Sequence, residues 1–112
     1  MKYYHNPRCS KSRQGLDLLR SKGGNPEVIL YLDEPITSKE LKTIITKVGI
    51  SPENLIRKNE SIFKENFKGK VLTDDQWIQA MVDYPKLIER PILIVENKGI
   101  IGRPPEKILS LI

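Results

Sequence analysis

The sequence predicts an α/β fold, a mixed four-stranded sheet interrupted by a helical insertion. Three observations point to it. The chain opens on a strand–helix–strand alternation, which demands a parallel pair joined by a right-handed crossover. It closes on two short apolar runs separated by a turn, which adds antiparallel strands to the same sheet. Between them, over about residues 36–85, capping signals and apolar residues at helical spacing replace any strand pattern. At 112 residues the chain has room for one domain and no second core.

Lys2 to His5 reads as a short strand, broken at Asn6-Pro7. From Ser10 a helix runs to about Ser21, burying Leu16 and Leu19, and Gly23-Gly24 supplies its left-handed C-cap. Pro26 to Leu32 favours a strand, and Val28-Ile29-Leu30-Tyr31 is apolar enough to be covered on both faces. Thr37-Ser38-Lys39-Glu40 is a capping box in which Thr37 and Glu40 satisfy each other's backbone donors. Leu41, Ile44, Ile45 and Val48 follow at helical spacing, and Gly49 ends the helix. Ser51-Pro52 starts a short helix through Leu55 toward Arg57. Residues 60–67 form another, setting Ile62, Phe63 and Phe67 against the body. Thr73-Asp74-Asp75-Gln76 is a second capping box, followed by a buried stripe of Trp77, Ile78, Met81 and Val82. After Pro85, Ile92 to Val95 is a strand, and a turn at Asn97-Lys98-Gly99 leads into Ile100-Ile101. Pro104-Pro105 then opens a terminal helix carrying Ile108, Leu109 and Ile112. This order of elements is the thioredoxin-like plan with extra helices in its middle.

Composition excludes several classes of function. Mean hydropathy is −0.39 and 29% of residues are charged, the balance of an ordinary globular protein. The longest apolar runs, Ile92 to Val95 and Val28 to Leu30, fall far short of the ~20 residues that span a bilayer. The opening Met1-Lys2-Tyr3-Tyr4-His5 carries no apolar signal stretch, so a cytoplasmic location is expected. One cysteine excludes an intramolecular disulfide and a four-thiolate metal site, and one histidine argues against zinc, so no metal is expected. The net charge of +5 first suggests nucleic acid. Yet Arg57, Arg90 and Arg103 stand singly, with no aromatic stacking platform beside them. Scattered arginines that a fold can gather suit a small oxyanion better than a duplex. Neither nucleic acid nor membrane is an expected partner, and a monomer is the simplest assembly.

Cys9 is where chemistry is expected. It lies between the first strand and the first helix, beside the free N–H groups of Ser10, Lys11 and Ser12 at the positive end of the helix dipole. Arg8, Lys11 and Arg13 add positive potential, and together these effects favour thiolate over thiol. The same N–H nest suits an oxyanion beside the sulfur. Ser12 either caps the helix or hydrogen-bonds the thiolate, and His5 either tunes the thiol or holds the loop.

The segment His5-Asn6-Pro7-Arg8-Cys9-Ser10-Lys11-Ser12-Arg13 resembles the active-site segment of the glutaredoxin-coupled arsenate reductase family, the ArsC type. Leu55-Ile56-Arg57-Lys58-Asn59-Glu60, Ile88-Glu89-Arg90-Pro91-Ile92 and Gly99-Ile100-Ile101-Gly102-Arg103-Pro104-Pro105-Glu106 resemble its later segments in the same order. The resemblance implies that Cys9 is the nucleophile and that Arg57, Arg90 and Arg103 surround the bound oxyanion. It also implies that Arg90-Pro91 corresponds to the cis-proline junction of thioredoxin-like folds. Guanidinium forks that stay charged offset the repulsion between a thiolate and an anionic substrate.

The implied cycle joins Cys9 to arsenate, then uses glutathione as co-substrate and a glutaredoxin to finish the reduction, with no bound cofactor. The phosphatase-like design of arsenate reductase needs a C-x5-R loop and further cysteines, and position 15 is Gly. Two alternatives stand beside this reading. One is an Spx-type regulatory module, many of which carry C-x-x-C where this chain has Ser12 in place of the second thiol. The other is a glutathione-dependent thiol oxidoreductase acting on another oxyanion, and a general oxidoreductase has no need of the three arginines together.

Overall fold

The computed structural model describes all 112 residues, Met1 to Ile112. Strand β1 (Lys2–Tyr4) pairs in parallel with β2 (Glu27–Ile29) and antiparallel with β3 (Ile92–Val95), and β4 (Lys98–Ile101) returns antiparallel to β3. The order across the sheet is β2-β1-β3-β4. Helix α1 (Ser10–Ser21) makes the crossover between the parallel strands, and α2 (Ser38–Val48), α3 (Ser61–Asn66) and α4 (Asp74–Asp83) lie between β2 and β3. Short 3-10 turns cover Pro52–Leu55, Pro85–Leu87 and Pro105–Leu111. The architecture is the thioredoxin-like α/β fold with a mixed four-stranded sheet. No helix is long and apolar enough to cross a membrane.

The central strands β1 and β3 are covered on both faces, and strand periodicity decides which residue goes where. Tyr4, Ile29, Ile92 and Ile94 point to one face, into a core with Leu41, Ile44 and Ile45 of α2 and Trp77, Ile78 and Met81 of α4. Their neighbours Tyr3 and Leu93 point to the other, against Leu16 and Leu19 of α1 and Ile108 of the terminal turn. In the larger core the rings of Phe63 and Trp77 stack at 6.2 Å, and Phe67 meets both Trp77 and Tyr84.

Several expectations are corrected in detail. Strand β2 ends at Ile29 because β1 offers it only three partners, and the Leu30 carbonyl turns the chain by accepting the Asp33 and Glu34 N–H groups. It is an edge strand with Glu27 exposed and Val28 half-buried, so it is not covered on both faces. Thr37 caps α2, but Glu40 does not close the box, because its carboxylate accepts the Tyr4 hydroxyl at 2.7 Å. The second box, Thr73 with Gln76, is closed in both directions. The hairpin turn falls on Glu96-Asn97, with Glu96 at φ 54°, and Gly99 already lies within β4. The terminal segment winds as a 3-10 turn, and Ile112 is left exposed.

Candidate active site

Where β1 runs out, the chain turns over the start of α1. The Asn6 side-chain oxygen accepts the Arg8 N–H at 3.0 Å, and its carbonyl accepts the Cys9 N–H at 3.0 Å, forming an Asx-type turn. Arg13 Nη1 donates to the Pro7 carbonyl at 2.9 Å from the next turn of the helix. Buried Ser12 fixes the loop from beneath: its Oγ accepts the Asn6 N–H at 3.0 Å and lies 2.6 Å from His5 Nδ1. Its carbonyl accepts the Tyr3 hydroxyl at 2.6 Å. The Ser12 side chain therefore neither caps α1 nor hydrogen-bonds the sulfur.

Cys9 occupies the N-cap of α1 with extended backbone, φ −94° and ψ 121°, and its free thiol is half-buried. Burial pushes that thiol up. The Ser12 N–H, the Arg90 guanidinium through hydrogen bonding and charge, and the Lys11 N–H outweigh burial, so the thiol titrates below its ordinary value. His5 is held below its ordinary value first by burial and then by the charges of Arg20 and Arg13. A neutral imidazole next to Ser12 orients the loop and adds no charge to the thiolate.

The arginines come from segments remote in sequence. An isolated bridge pairs Ile56 with Ile88, with the Arg57 N–H on the Leu87 carbonyl at 2.7 Å and the Glu89 N–H on the Leu55 carbonyl at 2.8 Å. This pairing brings Arg57 beside Arg90. Both are largely covered, their side chains 14% and 10% exposed, and Arg103 keeps 35%. Arg90 Nη1 donates to the Lys86 carbonyl at 3.1 Å, and Arg103 Nη1 to the Arg90 carbonyl at 3.0 Å. That carbonyl precedes Pro91, and the Arg90–Pro91 and Arg103–Pro104 bonds are both cis. The Glu60 carboxylate lies 3.6 Å from Arg57 and 3.8 Å from Arg90, and Glu89 lies 3.4 Å from Arg103. Even so, Arg57 Nε, Arg57 Nη1 and Arg90 Nε are buried with no hydrogen-bond acceptor.

Cys9, the Lys11 and Ser12 N–H groups and Arg90 thus converge on one point, with Arg57 alongside. Arg103 joins through the backbone of Arg90, not at the sulfur. The Ser10 N–H is not among the groups acting on the thiol, and the side chains of Arg8, Lys11 and Arg13 are exposed. Asn6, Glu60, Glu89 and Tyr31 belong to the neighbourhood without having been singled out in the sequence. Asn-Pro after a strand was a findable signal for Asn6. The carboxylates carried none, because their arginine partners are set by tertiary structure. No cluster of side chains suits a metal ion. The concave surface beside α2, lined by Lys39, Glu40, Thr43 and Lys47, holds neither a thiol nor any of the three arginines. The arrangement is a thiol whose titration is lowered by Arg90 and helix N–H groups, with further guanidinium hydrogens unpaired nearby, which suits attack on a bound oxyanion.

Known proteins are similar to this chain over its whole length. The Escherichia coli K12 protein named "Uncharacterized protein YfgD" is 46% identical, covering 100% of this chain and 96% of its own. The arsenate reductase of Neisseria meningitidis serogroup A is 40% identical, covering 100% and 97%. The solved structure of the arsenate reductase from Vibrio cholerae superimposes with a TM-score of 0.94 at 40% identity, covering 100% of this chain and 98% of that one. The ArsC family model matches residues 4–111, and with full-length relatives at these identities the chain belongs to the ArsC family.

Proposed function

We propose that the protein is an arsenate reductase that uses Cys9 as its only protein thiol. The observation that carries the reading is the Arg90 guanidinium acting on the Cys9 sulfur while neighbouring guanidinium hydrogens go unpaired. Such donors suit an anion. Relatives named arsenate reductase at 40% identity support arsenate as that anion.

The Cys9 thiolate attacks arsenic, an As–S bond forms, and an As–O bond breaks with its oxygen leaving as water after protonation. Arsenic is still As(V) at this point. Arg57, Arg90 and Arg103 offset the charge that accumulates on the remaining oxygens. Reduction to As(III) requires two electrons, supplied when two thiols become one disulfide. The chain has a single cysteine, so both of those sulfurs come from outside it. Glutathione adds to arsenic with loss of a second water. A glutaredoxin thiolate then attacks the glutathione sulfur, making the mixed disulfide and leaving arsenic reduced on Cys9. Hydrolysis of that As–S bond releases arsenite and restores the thiol.

The test is NADPH consumption in a mixture of arsenate, glutathione, glutaredoxin and glutathione reductase. The wild type should consume NADPH only with arsenate present, and Cys9→Ser should be inert. Equal rates for the two proteins would end this reading.

A further inference from the structure

Tyr31 lies just beyond the end of β2 and is 1% exposed. Its phenolic hydrogen finds no acceptor in the fold, and the one side chain that acts on its oxygen through a hydrogen bond, Arg90, is a donor. A buried hydroxyl without an acceptor is uncommon, and its surroundings explain why none is available. The charged groups that act on it are Arg90, Cys9 and Arg57, in that order. A guanidinium only donates, so even an arginine bonded to the phenolic oxygen leaves the phenolic hydrogen unused. Three further buried atoms stand unpaired beside it, Arg57 Nε, Arg57 Nη1 and Arg90 Nε. The Glu60 carboxylate stays 3.6 Å from Arg57 and 3.8 Å from Arg90, beyond hydrogen-bond reach, so these guanidinium hydrogens and the phenolic hydrogen go unused beside the thiol.

We propose that Tyr31 is a substrate-binding residue whose hydroxyl donates a hydrogen bond to an oxygen of the tetrahedral oxyanion that Arg57 and Arg90 hold against Cys9. The proposal rests on the oxyanion reading of the site and adds to it an uncharged contact. Burial pushes the phenol up to about 12 despite the arginines, so it keeps its proton at neutral pH. It therefore acts as a fixed donor, not as the acid that protonates the departing oxygen. Arginine forks neutralise charge from several directions, whereas a single rigid hydroxyl fixes how the tetrahedron is turned toward the sulfur.

The test is Tyr31→Phe, which removes one oxygen and keeps the ring. Arsenate, phosphate and sulfate are titrated against wild type and variant, reading heat of binding and protection of Cys9 from iodoacetamide. The variant should bind roughly ten- to a hundredfold more weakly, the scale of a lost hydrogen bond to a charged acceptor. The pH midpoint of Cys9 alkylation should not move, and the melting temperature should stay close to that of the wild type, since the phenolic hydrogen has no acceptor in the fold. Affinity within about twofold of wild type overturns the proposal. So does a loss accompanied by a shifted Cys9 midpoint or by lowered stability, because the phenol would then act on the sulfur or the fold. A wild type that binds none of the three anions overturns it as well. Tyr31-dependent binding of phosphate or sulfate without arsenate turnover would support this contact and end the arsenate reading alone.

Discussion

Cys9 owes its low titration to groups from two directions, the N–H groups of its own helix and a guanidinium from the far end of the chain. Arg90→Ala removes the second. It should raise the pH midpoint of Cys9 alkylation and lower kcat/KM for arsenate by roughly a hundredfold to a thousandfold, the cost of losing one well-placed charge-stabilising donor. Arg103→Ala, whose guanidinium is not at the sulfur, should lower turnover without moving that midpoint. Glu60 lies 3.6 and 3.8 Å from Arg57 and Arg90, where it competes with an incoming anion. Glu60→Gln should tighten phosphate binding by a few-fold, read by calorimetry. His5 makes stability depend on pH with a definite sign. Unfolded, it titrates near 6.5, and folded it titrates lower. Its contribution is complete above 6.5 and is lost as pH falls through the folded value, because only the unfolded chain takes up the proton. The urea midpoint should drop on mild acidification, and His5→Gln should flatten that slope. Cys9 and the helix N–H groups beside it were legible because thiol and helix start lie within a few residues, whereas the cation that acts on the sulfur is the distant Arg90 and not the neighbouring Arg8, Lys11 or Arg13. Tyr31 and Glu60 were not legible, since Tyr31 looked like one more strand residue and Glu60 like one more solvated charge.

At the scale of elements, the two capping boxes show how far a local pattern reaches. Thr73 with Gln76 closes fully, so Thr73→Ala should cost about 1 kcal/mol in urea unfolding. Thr37 with Glu40 carries the same spacing, yet Glu40 turns toward the Tyr4 hydroxyl, a partner 36 residues away. Local rules named the cap and had no access to that competitor. Strand lengths follow the same logic, because β2 could be only as long as β1 allowed. Gly99 was read as a turn residue and is in fact a packing residue. A Cβ there would sit 2.6 Å from Ile94 Cδ1 and 2.9 Å from Val48 Cγ2. Gly99→Ala should therefore destabilise the hairpin against α2 by about 1–3 kcal/mol, measured as a lowered unfolding midpoint.

For the whole molecule, one sheet separates two cores, and β1 and β3 contribute to both. Neither core can be lost without exposing the strands of the other. The single tryptophan, Trp77, reports the larger core, while far-UV circular dichroism also follows α1 on the opposite face. Unfolding followed by Trp77 fluorescence and by circular dichroism should give coincident curves, and separated transitions would mean that the cores melt independently. Sheet and helices were legible because periodicity and caps are local. The pairing of Ile56 with Ile88 was not, because a single bridge between two helical stretches leaves no alternation to read. That clasp has a consequence for how such a chain can vary. Arg57 lies within the clasp and Arg90 two residues past Ile88, so backbone bonds at its base bring the two together, with Glu60 and the Lys86 carbonyl adding contacts from beyond it. The stretch from Lys58 to Lys86 leaves and returns through that clasp, and at its Gly69–Val71 tip, where Val71 is 99% exposed, a short graft should leave KM for arsenate untouched.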